Sequence, residues 1–95
     1  MERGTPSIAN LPGGELVLRG ISDLEQGVAS AEALLVSIGA PRLRRLGFRL
    51  AEPFPGAEHR LYELLAAEDS DAAHSRYNAL VRRLVSFERA AGCAS

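Results

Sequence analysis

Four arginines lie within the thirteen residues from Ile38 to Leu50, a stretch that contains no acidic residue. They are Arg42, Arg44, Arg45 and Arg49. The guanidinium group is planar and always charged, and it pairs with a carboxylate or a phosphate through two hydrogen bonds at once. The chemistry that this cluster offers is therefore recognition of an anion, either on a nucleic acid or on an acidic protein surface.

A second group of arginines follows one side of the helix predicted at the end of the chain. Arg76 and Arg83 are seven residues apart, as are Arg82 and Arg89, so each pair lies along one row of the helix. An amphipathic helix also places charge on its solvated side without any function, so this group alone predicts no partner. A single basic surface follows if both groups of arginines lie on the same side of the fold.

An acidic run separates the two groups of arginines. Residues 52–71 hold six acids and one arginine, a net charge of −5, and the whole chain has a net charge of −1. That balance argues against a molecule that binds polyanions over its entire surface. The favoured interpretation leaves the arginines of 42–49 solvated or pairs them with the acidic run, within one chain or across a dimer. Contact with an acidic protein partner ranks behind nucleic-acid contact. Nucleic-acid contact by both groups of arginines is the alternative.

The first cluster also has features of a helix-turn-helix. Gly39 is a natural helix stop, and Pro41 suits the first turn of a second helix over 41–46, which ends at Gly47. That second helix has barely two turns, which is too short to lie along a major groove. The pattern therefore favours a small interaction or regulatory protein that works through its helix faces over a DNA-reading protein.

Other residues with catalytic or metal-binding chemistry are sparse. His59 and Glu63 are four residues apart on one helix face, and His74 follows on the next helix, which makes them the best candidates for a metal site. Three ligands at unspecific spacing are too few, so we predict no metal and no cofactor. The single cysteine, Cys93, lies close to the end of the chain, and no glycine-rich phosphate-binding loop follows a strand. We predict that the protein is not an enzyme.

The composition favours helices as the elements that position these residues. The chain has fifteen alanines and fourteen leucines but five aromatic residues, a bias toward helix over strand. Apolar residues recur at alternating spacings of four and three from Val17 to Ile38, which predicts one helix over about 15–38. We expect a bend or a break at 20–22, where a glycine interrupts the helix and Ser22 begins a capping box.

The second half of the chain predicts two further helices joined by an acidic turn. Residues 57–67 place three leucines on one face, and the last helix, from Ala73 onward, repeats the four-three spacing. Asp69 or Ser70 is the expected N-cap of that helix. Phe54, held between two prolines, is expected to pin the linker before these helices to the core. Among the leucines, we predict burial of Leu35, Leu80 and Leu84.

These elements predict an all-α fold, a small irregular bundle of four to five helices in a single domain. We expect a loose N-terminal arm over 1–14, a helical domain over 15–92 and a C-terminal tail over 93–95. One cysteine, no apolar leader and no membrane-length apolar segment indicate a cytoplasmic protein. A chain of 95 residues buries its apolar surface poorly on its own, so we also expect a homo-oligomer, in the simplest case a homodimer.

Overall fold

The computed structural model describes residues 8–94, which contain helices and no strand. The elements are a 3-10 helix at Ile8–Asn10 and four α-helices, α1 (Gly14–Glu25), α2 (Ala31–Arg45), α3 (Ala57–Glu68) and α4 (Ala73–Ala94). All four α-helices contribute to one core, so the predicted all-α bundle is confirmed. Residues 1–7 of the predicted arm lie outside the described part of the chain, and the predicted tail is helical as far as its second residue.

The prediction of one helix over 15–38 is wrong, because two helices form with a break at residues 26–30. No break occurs at 20–22, and Ser22, the proposed cap, lies inside α1. Each of the two helices keeps its share of the predicted apolar spacing. They pack against each other, so the two halves of the stripe meet inside the core.

Hydrogen bonds around Gly27 explain why the chain breaks there. Gly27 has a φ of 74°, which glycine adopts at no steric cost. Its amide donates to the carbonyl of Leu24, and the amide of Val28 donates to the carbonyl of Asp23. This Schellman arrangement ends α1 because it satisfies carbonyls that the last helical turn leaves unpaired. The hydroxyl of Ser30 then accepts a hydrogen bond from the third amide of α2 at 3.1 Å and caps the new helix.

α2 continues through Gly39 and Pro41, so the predicted stop at Gly39 and the separate helix over 41–46 are both wrong. Gly39 is buried where α2 meets α4, and a Cβ atom at this position would lie 2.9 Å from Leu84 Cδ2. This glycine therefore serves close helix packing and not helix termination. Pro41 removes one helical hydrogen bond, a cost that burial of the surrounding α2 residues outweighs. The helix ends before Gly47, as predicted.

α3 and α4 lie close to their predicted positions, and an aspartate forms the turn between them. The side chain of Asp69 accepts hydrogen bonds from the amides of Asp71 and Ala72, at 3.1 and 3.3 Å. Of the two caps proposed from the sequence, Asp69 is therefore the one whose side chain satisfies amides ahead of α4. Among residues 8–94, none of the helices combines the length and the apolarity that crossing a bilayer requires.

Packing confirms most of the predicted core. Leu35 and Leu84 are buried, whereas Leu80 is partly exposed and packs against the edge of the core. Phe54 is half-buried, and its amide donates a hydrogen bond to the hydroxyl of Ser37 at 3.0 Å. The guanidinium of Arg60 lies 5.1 Å from the centre of the Phe54 ring. The linker before α3 is thus attached to α2, as the flanking prolines suggested.

Candidate functional site

A groove opens between the C-terminal half of α2 and the second half of α4. The two helices touch at Gly39 and Leu84, where no side chain on α2 separates them. Beyond this contact lie two adjoining cavities of about 350 Å³ and about 340 Å³, which share several wall residues. We call this feature the α2–α4 groove. The residues that line it are Ile38, Gly39, Pro41, Arg42, Arg45, Leu46, Val81, Leu84, Val85, Glu88 and Arg89.

The groove brings together arginines from both groups that the sequence identified. Arg42 and Arg45 come from the last turn of α2, and Arg89 comes from α4. All three side chains are exposed at the rim. Neither Arg45 nor Arg89 forms an ion pair within residues 8–94. Their guanidinium groups are therefore available to an anionic group from outside the chain.

The other predicted arginines do not line the groove. Arg44 donates a hydrogen bond to the carbonyl of Ala51 at 3.3 Å, and Arg76 pairs with Glu68 at 3.2 Å. The remaining three are exposed on the outside of the helices or the linker, namely Arg49, Arg82 and Arg83. Among the described residues, Arg76 is the one arginine of the two groups that pairs with the acidic run. Pairing of the 42–49 cluster with that run inside one chain is therefore wrong.

Burial of one acid in the wall of the groove was not predicted. Glu88 is 9% exposed, and its Oε1 atom lies 3.6 Å from Nη1 of Arg42. Burial raises the pKa of Glu88 above its ordinary value of 4.5, and the nearby charge of Arg42 lowers it in part. The signal in the sequence was position, because Glu88 follows the core residue Leu84 by four positions and so lies on the same side of α4.

We expect the stability of the protein to depend on pH through Glu88. Its raised pKa means that the unfolded chain gives up this proton more easily than the folded chain. Above about pH 4.5 the unfolded chain has largely released the Glu88 proton, whereas part of the folded population still holds it. A further rise in pH therefore favours the unfolded state, and the stability that protonated Glu88 contributes at low pH is lost. Glu88→Gln should therefore lose less stability than the unaltered protein between about pH 4 and about pH 7. Urea unfolding at a series of pH values measures this difference.

A second variant separates the carboxylate from its partner. Arg42→Gln removes the charge that lowers the pKa of Glu88, so the loss of stability with rising pH should become steeper than in the unaltered protein. Parallel curves for all three proteins would show that Glu88 titrates alike in the folded and unfolded states.

The proposed metal ligands do not form a site. His59 Nε2 lies 3.0 Å from Glu63 Oε2 on the outer face of α3, and His74 contacts Asn78 along α4. Within residues 8–94, no three histidine, cysteine, aspartate or glutamate side chains gather as metal ligands would. Cys93 is exposed and unpaired near the end of α4.

The arginines of α2 occupy the end of a long helix and not the start of a short one. Arg42, Arg44 and Arg45 all lie in the last turn of α2, where positive charge interacts favourably with the helix dipole. The turn that a helix-turn-helix would need at Gly39 is absent, since α2 is continuous there. No protein-family model, curated protein sequence or solved structure matches this chain.

Proposed function

We propose that this chain is a small, non-enzymatic interaction protein, and that it binds another polypeptide in the α2–α4 groove. One observation carries the proposal: three guanidinium groups surround a floor of partly exposed aliphatic side chains. Arginine does not give up its proton in proteins, so it binds anions but does not act as a general acid or base. A groove with this lining is suited to holding a partner chain in place. We propose a regulatory role of this kind in the cytoplasm, in keeping with the single cysteine.

Nucleic-acid binding is the second candidate function, because two separate groups of arginines converge on the groove. The floor of the groove favours a protein instead. Ile38, Leu46, Val81 and Val85 are aliphatic, and a phosphate backbone offers nothing apolar to cover them.

A site-specific photo-crosslinking experiment tests the proposal. A photo-reactive phenylalanine analogue replaces Val85, in the groove, or Ala79, which is exposed elsewhere on α4. Both proteins are produced in the cells that make the natural protein, and the adducts are treated with protease or nuclease. We expect a protein adduct at position 85 and not at position 79, and we expect Arg45→Gln/Arg89→Gln to reduce it.

Three results would contradict the proposal. A nuclease-sensitive adduct at position 85 would assign the groove to nucleic acid. Equal adducts at positions 85 and 79 would show contact without a site, and the absence of any adduct at position 85 would mean that no partner occupies the groove.

Self-association is a separate prediction that follows from the size of the chain. The large apolar side chains that are exposed within residues 8–94 are three in number and lie on three different segments: Leu18, Val28 and Tyr62. The apolar residues that recur at four-three spacing, over 17–38 and along α4, instead pack together within one copy. Sedimentation equilibrium at tens of micromolar measures the oligomeric state, and a pure monomer would contradict this prediction.

A further inference from the structure

We infer that the occupant of the α2–α4 groove is an acidic amphipathic helix from a different protein, with carboxylates on both borders of an aliphatic stripe. This inference rests on the proposed function and specifies its partner. It follows from the shape of the groove, from the chemistry of its floor and from the charge of its rim.

The dimensions of the groove fit about two turns of a helix. Its α2 wall extends from Ile38 to Arg45, and its α4 wall extends from Val81 to Arg89. At 1.5 Å per residue these walls are about 10 and about 12 Å long, close to two helical turns. A third helix is the element that packs its side chains into the groove between two others.

The floor requires aliphatic side chains from the partner. Val81 and Val85 lie one turn apart on α4, and the same groove is lined by Ile38 on α2 and by Leu46, the residue that follows α2. All four are partly exposed, so contact with the partner removes apolar surface from water. Two turns of a partner helix supply such contacts through apolar residues at spacings of three and four.

The rim requires negative charge on both sides of that stripe. Arg42 and Arg45 lie on the α2 side, and Arg89 lies on the α4 side. The one carboxylate in the wall, Glu88, faces Arg42, and no acid among residues 8–94 pairs with Arg45 or Arg89. A partner with glutamate or aspartate on both borders pairs with these two arginines.

Within residues 8–94, neither the groove nor α3 of a second copy has these properties. Two copies joined groove to groove would bring six arginines together, which is repulsive. α3 carries acids on its outer face, but Leu61 and Leu65 are buried in its own core and Tyr62 is its one exposed large apolar side chain. The occupant is therefore a helix from another protein.

Fluorescence anisotropy with designed peptides tests this inference. The probe is a labelled peptide of about 18 residues, long enough to form a helix, with leucines on one face and glutamates along both borders. The matched peptide carries glutamine in place of every glutamate. We expect the acidic peptide to bind at least about tenfold more tightly, a difference of about 1.4 kcal/mol, and its affinity to fall as salt is raised.

Variants of the protein locate the binding site. Arg45→Gln/Arg89→Gln should weaken binding of the acidic peptide about tenfold and leave binding of the glutamine peptide unchanged. The matched control is Arg82→Gln/Arg83→Gln, which removes the same charge from exposed positions of α4 outside the groove and should change neither affinity. Circular dichroism confirms that each variant is folded.

Each contrary outcome has a distinct meaning. Equal affinity for both peptides, or an equal effect of the two double variants, would overturn the inference, since charge at the rim would not select the partner. Tighter binding of a random DNA duplex through Arg45 and Arg89 would assign the groove to nucleic acid. A protein adduct at position 85 combined with no binding of the acidic peptide would leave the interaction function intact and refute the acidic helix alone.

Discussion

Gly20→Ala is expected to destabilise the protein by about 3 kcal/mol or more, although alanine is the better helix former. Gly20 lies inside α1 at its contact with α2. A Cβ atom there would lie 2.5 Å from Val36 Cγ2 and would collide with the carbonyl oxygen of Glu32. A backbone carbonyl within a helix cannot turn aside as the end of a side chain can, so the two helices must separate.

Urea unfolding followed by circular dichroism measures this effect. The midpoint should fall while the slope with denaturant stays the same. Gly92→Ala is the matched control, because a Cβ atom at this helical glycine meets Leu46 Cδ2 at 3.7 Å, an ordinary contact distance. We expect that control to be neutral or slightly stabilising. A loss below about 1 kcal/mol for Gly20→Ala would show that α1 and α2 are not in this close contact.

Leu84→Ala is expected to cost about 2–5 kcal/mol, the range for removing a buried leucine and leaving a cavity. Leu84 is 3% exposed and contacts α2 at Gly39, which has no side chain of its own to fill the space. Leu80→Ala makes the same chemical change one turn earlier on α4. Because Leu80 is partly exposed, its truncation leaves less of a cavity and should cost clearly less.

Thermal and urea unfolding of the two leucine variants, side by side, test the assignment of the buried side of α4. The contrast between them matters more than either value, since both lose the same atoms from the same helix. Equal losses at Leu84 and Leu80 would mean that α4 turns a different side toward the core.

Some residues of the groove could be predicted from the sequence, and others could not. Both groups of arginines were identified as candidates from their clustering and seven-residue spacing, because those properties are local. Which of them meet depends on how α2 packs on α4, and the packing selects Arg42, Arg45 and Arg89. The burial of Glu88 was not predicted, because it depends on the same contact between α2 and α4.

The sequence alone determined the helical class, the stop at Gly47 and the positions of α3 and α4, because four-three apolar spacing, glycine stops and acidic turns act within a few residues. It did not determine the role of each glycine. Gly27 ends a helix through its own φ, whereas Gly39 lies within a helix because α4 approaches it closely. In a sequence these residues look alike, and only the neighbouring helix distinguishes them. The groove has the same origin, since contact between α2 and α4 across Gly39 brings distant arginines around one aliphatic floor.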